Sequence, residues 1–504
     1  MCIDQLFERS KKHKTYWLLL LFFGVLCLHG NCQNTIDPYA ETESTDTLKE
    51  LVLIHINPSE INILSGVNAL TSPNLQQNIK NHMFLWDSSI DSGPYSFKWN
   101  AKAMEKGNYD VTGIVAGEDA KLILACNKKT NTEVKAQKDW SRIPLGTIEL
   151  TKGINQIEIE IKADKVVKLS SIELTQPVTK EIMMNMALHE RCNANWFKDA
   201  GYGLMFQWTN RATPKSGNVI KDWEDKVKDF DIDAFIEMVE QSGAAYVIWS
   251  ITWGQQYISA PIMALDKLIE GRTTKRDLLG EMADRLHDRD IKLIFYYHYG
   301  YDCYHSKDST WLKASGGYDK DKTKLYKNIS NIIAEVGIRY GDKLHGWFFD
   351  GAQRYYDSHF DGSSDGILSA SFREISQAAR SGNAHRIIAY NSWILPRSTE
   401  FQDYYAGEGL QEFNKLQEGI FPSGKHKGLM AHTCFPLEKR WGHIDWNTKI
   451  SKPKYSIDQL VEYISYAQKN KYPLSINLEM YEDGTVSPHS YGLLEKVRIK
   501  IREK

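Results

Sequence analysis

LHGWFFDGAQRYY, Leu344 to Tyr356, begins apolar and aromatic at nearly every position and stops at an acid, Asp350, with Gly351 after it. A strand wetted on one face alternates apolar and polar residues, whereas a strand covered on both faces stays apolar throughout. The run therefore predicts a strand from a parallel sheet with helices on both sides. YGLMFQW, AAYVIWSIT, IKLIFYYHY, RIIAYNSW, GLMAHTCF and PLSINLEM read the same way. Between them, DIDAFIEMVEQSG, RDLLGEMADRLHDRD, LYKNISNIIAEVGIRYG, SASFREISQAARSG and SIDQLVEYISYAQKN repeat apolar residues at three- and four-residue spacing, as amphipathic helices do. With FQDYYAG as a further short strand, the strand count over residues 185–504 reaches eight, which predicts an α/β fold of the (β/α)8 TIM-barrel type. A doubly wound open sheet is the other architecture of this pattern, and no GxGxxG turn follows the first strand to support it.

Upstream the period changes. GNYDVTGIVAG, AKLILACN and GTIELTKGINQIEIEIKAD alternate apolar and polar residues with Gly, Asn and Asp between them, which predicts an antiparallel, jelly-roll-like β-sandwich over residues 53–180. PVTKE (Pro177 to Glu181) reads as the linker, and the polar, acidic residues 35–52 as a tether. Residues 1–34 read as a targeting segment. Arg9, Lys11, Lys12 and Lys14 precede YWLLLLFFGVLCL, an apolar stretch too short for a bilayer core of roughly 30 Å. The expectation is an exported protein, periplasmic, extracellular or anchored at the outer membrane. Contact with membrane would come only through a lipid on Cys32, where a bacterial lipoprotein carries its acylated cysteine.

Composition narrows the function. Of 504 residues 12% are aromatic, including 14 Trp and 26 Tyr, and such faces suit sugar rings. A net charge of −2 gives no support for a nucleic-acid partner. Cys126, Cys192, Cys303 and Cys434 match no zinc spacing and read as buried free thiols. HExxH, a phosphate-binding glycine loop and GxSxG are all missing, so neither metal nor cofactor is expected.

In a barrel of this type the reacting groups sit at the C-terminal ends of the strands. Those ends supply Gln207 and Trp208, then Trp253, then His298 and Tyr299, then Asp350, then Asn391 and Trp393, then Glu408, then His432. Amides, aromatics and a few carboxylates suit a neutral polyol, so the expected partner is an oligo- or polysaccharide. Cleaving a glycosidic bond takes two carboxyl groups. Asp350 is the first candidate, Glu408 the second, and Glu438 the rival of Glu408. A strand-end Asp also caps turns, so a glycan-binding surface protein without catalysis is the competing reading.

Several motifs, in order, resemble the α-L-fucosidases of glycoside hydrolase family 29. WFKDAGYGLMFQW is similar to that family's opening motif, GWFFDGAQ to its WFDG, AYNSW with DYYAGE to its fifth-strand region, RWGHIDW to its SWGY, and PLSINLEMYEDGTVSP to its closing motif. The resemblance runs from Trp196 to the C-terminus. It implies removal of a terminal α-linked (deoxy)sugar with retention of configuration, Asp350 acting as nucleophile and Glu408 as acid/base. The family's sugar-binding His residues are replaced, at Gln207, Trp253 and Gly254, and His432 stands where it has a Glu. A sugar other than fucose is therefore a further alternative.

Overall fold

The computed structural model describes residues 53–66, 69–72, 75–78, 85–88, 95–217, 220–299, 308–317, 319, 323–351, 372–392, 395–409 and 428–502. Residues Glu50–Lys504 form one compact unit. The predicted targeting segment and tether lie outside the described residues. Among the described residues no helix is long and apolar enough to cross a membrane.

The alternating segments fold as two six-stranded sheets, antiparallel except where Leu53–Ile56 runs parallel to Tyr95–Ala103. Tyr95–Ala103 buries every second side chain, and its partner Gly153–Lys162 turns Ile157, Ile159 and Ile161 into the same core. Trp99 is wholly buried there, its indole N–H donating to the Ser65 carbonyl at 2.8 Å. The stretch expected as a linker is instead the first turn of a helix, Pro177–Glu190. Proline fits a helix start, where its missing N–H would have no intrahelical acceptor.

The second half is a parallel sheet built from β1 (Tyr202–Phe206), β2 (Tyr246–Ser250), β3 (Lys292–His298), β4 (Leu344–Asp350), β5 (Ile387–Asn391), β6 (Thr433–Pro436) and β7 (Leu474–Leu478). Their order is β5-β4-β3-β2-β1-β7-β6. Residues 403–409 bond to strands at both edges. Asp403 N–H donates to the Ile388 carbonyl at 2.8 Å and Tyr405 N–H to that of Met430 at 2.8 Å, while Cys434 N–H donates to that of Gly407 at 2.9 Å.

Alternation along each strand separates two apolar layers. Phe295, Tyr297, Trp347, Phe349, Ile388 and Tyr390 pack outward with helix residues such as Ile329 and Ile375. Met205, Ile248, Ile294, Tyr296, Phe348 and Ala389 pack with one another on the opposite face. The helices stop where their chemistry dictates. Ile232–Ser242 starts with the Asp231 carboxylate accepting from Ala234 N–H at 3.0 Å, and ends at Gly243 with φ 77°.

The sandwich braces the loop leading into residues 403–409. Arg142 is paired with Glu173 at 2.9 Å and also donates to the carbonyls of Arg397 (2.8 Å) and Ser398 (2.6 Å). A guanidinium fork suits such simultaneous bonding.

Candidate active site

Parallel register brings three strand ends side by side. His298 pairs with Asp350, and Asp350 with Asn391. Asp350 is only 8% exposed. Its Oδ1 accepts from Gly351 N–H at 2.9 Å and from the Asn391 amide at 3.0 Å, and its Oδ2 from the Tyr296 hydroxyl. Gly351 has φ 77°, a left-handed turn that places its N–H on the preceding carboxylate.

Glu408 reaches this cluster from the segment that bonds to both edges of the sheet. Gly407, at φ 63°, lets the backbone approach closely, because a Cβ there would fall 1.8 Å from the His432 carbonyl oxygen. The Asn391 Nδ2 that donates to Asp350 also donates to Glu408 Oε2, at 2.7 Å. The two carboxyl oxygens can be no further apart than those two bonds laid end to end, about 5.7 Å. A pair of carboxyl groups that share a glycosidic bond with retention sits about 5–5.5 Å apart.

Tyr296 extends the network. Burial, then the charge of Asp350, raises its hydroxyl well above the usual phenol range, so it stays a donor. Gln207, itself buried, bonds to the same hydroxyl, and its Oε1 has no hydrogen-bond partner. Cys434, paired with Glu408 across an isolated bridge, is held as a neutral thiol by burial and by the charges of Glu408 and Asp350. His298 is buried with its Nε2 facing Gly351, and its backbone is fixed by the Thr252 hydroxyl at 2.8 Å and the Gln256 amide at 2.8 Å. Trp253 is half-buried, with the Arg211 guanidinium 5.6 Å from its ring centre. Asn477 on β7 donates to the Trp441 carbonyl at 2.7 Å while its buried Oδ1 has no partner.

Three residues expected to meet substrate lie elsewhere. Trp208 packs outward among Trp223, Phe230 and Trp249, and its indole N–H is committed to the Tyr481 carbonyl at 3.0 Å. Tyr299 stacks on Phe349 in the outer layer. His432 is fully buried below the strand ends. Its Nδ1–H donates to the Ala406 carbonyl at 2.7 Å, and its Nε2 accepts from the Ser475 hydroxyl at 2.8 Å. Burial lowers this imidazole to about 4, so it is a neutral spacer between strands. Trp393 and Cys303 lie outside the described residues. Cys126 and Cys434 are buried free thiols as expected, and Cys192 is half-buried.

Glu438, the rival acid, is fully buried and engaged away from Asp350. It accepts from the Ser490 hydroxyl and from Glu479 N–H at 3.0 Å, tying the segment after β6 to the C-terminal helix Pro488–Arg502. Burial raises it to about 7 from 4.5. The folded chain thus keeps this proton to higher pH than the unfolded chain. Its contribution to stability is complete below about 4.5 and is lost as pH rises through about 7. Thermal melts of Glu438→Gln are expected to show a shallower fall in Tm across that window than the parent. Asp403, raised by burial to about 6, keeps part of the slope in both proteins. An equal slope in the two would rule out a buried, protonated Glu438.

The profile of the Alpha-L-fucosidase family matches residues 175–497. Among solved structures, an α-L-fucosidase from Lactobacillus casei with its α-L-fucose product is 15% identical, covering 62% of this chain and 99% of that one, with a TM-score of 0.45. An endo-fucoidan hydrolase of glycoside hydrolase family 107 is 11% identical over 62% and 94%, with a TM-score of 0.46. A bacterial fucosidase bound to an inhibitor is 17% identical over 61% and 72%, with a TM-score of 0.42. No curated protein matches the chain. The family profile spans well over half of the sequence and contains both carboxylates and the amide between them, and the chain belongs to the α-L-fucosidase family of glycoside hydrolases.

Proposed function

We propose that this protein is an exported exo-glycosidase with a (β/α)8 catalytic barrel and an accessory sandwich, removing a terminal α-linked deoxy- or related sugar with retention of configuration. The observation that carries the proposal is the single Asn391 amide bridging Asp350 and Glu408. Asp350 attacks C1 as the bond to the leaving oxygen breaks, and Glu408 delivers its proton to that oxygen. Glu408 then takes a proton from water, which attacks C1 and frees Asp350. Tyr296 and Gly351 hold the attacking carboxylate by donating to it from below and beside. A lipid on Cys32 would keep the enzyme at a membrane surface.

A second reading, the same reaction on a sugar other than fucose, is favoured by Gln207 and Trp253 standing where the family that the chain resembles has sugar-binding His residues. The buried, unpartnered Oε1 of Gln207 calls for a hydroxyl on whichever sugar binds. A panel of aryl glycosides including α-L-fucoside and α-L-rhamnoside tests both readings. Turnover of one member is expected, and tight binding with no turnover across the panel would defeat the enzymatic assignment.

Asn391 is assigned a positioning role. Replacing it with Ala is expected to lower kcat/KM by about 10²-fold, the scale of losing one charge-stabilising donor. The pH profile of kcat/KM should move as well, since both carboxyl groups lose the same neighbour. A fall in activity with an unmoved profile would argue for a packing role only.

A further inference from the structure

The opposite end of β4 carries a second concave site. Asp350 ends this strand, and His345 lies near its start, roughly 17 Å away at the usual rise per residue. Around His345 a cavity of about 280 Å³ is lined by Asn193, Asn195, Trp196, His345, Asn383 and His385. No lining residue is a carboxylate, lysine or arginine.

Hydrogen bonds within the cavity fix its polar groups in one orientation. Asn193 Oδ1 accepts from Asn195 N–H at 2.9 Å, and Asn383 Oδ1 from His385 N–H at 2.9 Å. Each amide therefore has its acceptor engaged by backbone and its Nδ2 donors without a protein partner among the described residues. The His345 imidazole is held by backbone on both sides: its Nδ1 accepts from Leu293 N–H at 3.3 Å, and the ring also hydrogen-bonds the Lys343 backbone, so it serves as a fixed wall of the cavity. Burial lowers this imidazole to about 4, so it is neutral at physiological pH. Trp196 is half-buried, its ring held edge-on by His345 at 5.7 Å and tilted against Phe197 at 5.2 Å. The cavity thus combines a fixed aromatic ring with uncharged, donor-rich side chains.

We propose that this cavity is a non-catalytic binding site for a neutral oligosaccharide, at the end of the barrel opposite the carboxylate pair. Sugar hydroxyl and ring oxygens accept from the amide donors and the His385 imidazole, while the apolar face of a pyranose covers the indole. Absence of fixed charge selects against anionic glycans, which recruit arginine and lysine. The site stands on its own residues and does not depend on which sugar is cleaved at Asp350. Two sites on one chain would hold a polymeric substrate near the enzyme by raising its effective concentration.

Titration of the full-length Asp350→Asn protein, its carboxylate site kept full by excess aryl glycoside, with a panel of neutral oligosaccharides, read by calorimetry, tests the proposal. Saturable binding is expected to weaken about tenfold in Trp196→Ala, the loss of one stacking face. Because Trp196 also packs on Phe197, His385→Ala and Asn195→Ala, both at exposed positions, provide variants with the core intact, and each is expected to weaken binding. In an otherwise native chain His385→Ala and Asn195→Ala should leave hydrolysis of a small aryl glycoside unaltered. Binding indifferent to all three changes, or found only with sulfated oligosaccharides, would overturn the proposal.

Discussion

Asp350→Asn is expected to reduce turnover of the best aryl glycoside by on the order of 10⁴-fold or more, at least about 5.4 kcal/mol of transition-state stabilisation. The amide is nearly isosteric, so the loss cannot be assigned to a collapsed strand end. The Tyr296 hydroxyl and Gly351 N–H both donate to this carboxylate, and an amide oxygen can still accept from one of them. Binding of the glycoside should therefore survive while chemistry is lost. Activity comparable to the parent would remove Asp350 from the mechanism.

Glu408→Gln carries the second large effect, and it should depend on the leaving group. A proton donor matters most when the departing oxygen is a poor leaving group, as in a natural disaccharide. General acid–base assistance contributes about 10²–10⁴-fold. The variant is expected to lose activity near the top of that range on a disaccharide. On a nitrophenyl glycoside, whose leaving group departs without help, the first step should be much less affected. Equal losses on both substrates would point to a binding role for Glu408 and reopen the search for the acid. Glu438 would be a poor replacement, because Ser490 and Glu479 already engage both of its oxygens.

Much of this architecture is legible from period alone. Strands apolar on both faces, separated by amphipathic helices, define a parallel sheet, and Asp350 is readable as the polar end of one of them. Side-chain alternation also contains information that a list of strand-end residues passes over. Neighbours on a strand point to opposite faces. His298 and Tyr299 therefore cannot both face the site, nor can Gln207 and Trp208, and the residue sharing a face with His298 is Tyr296. Depth is different, because it depends on how strands slide past one another. The bridge between Glu408 and Cys434 sets the level of the carboxylates, which leaves His432 one layer lower, bonded to Ala406 and Ser475. No local pattern in AHTC reports that offset. PVTKE is the opposite case: a polar stretch with proline looks like a linker, yet the apolar residues that pack its helix, Met183 and Ala187, lie further along.

Asn391 is the residue whose role the sequence leaves most open. An amide at a strand end is compatible with sugar contact, turn formation or carboxylate bridging, and only the adjacency of β4, β5 and the 403–409 segment selects the last.

Asp350 is the residue expected to form the bond to the sugar. This is tested most directly by quenching the enzyme during turnover of a slowly hydrolysed fluorinated glycoside and mapping the adduct by peptide mass spectrometry. One glycosyl group is expected on the peptide containing Asp350, its mass gain lost in Asp350→Asn. A glycosyl group on another acid, or product formed with inverted configuration and no adduct, would contradict it.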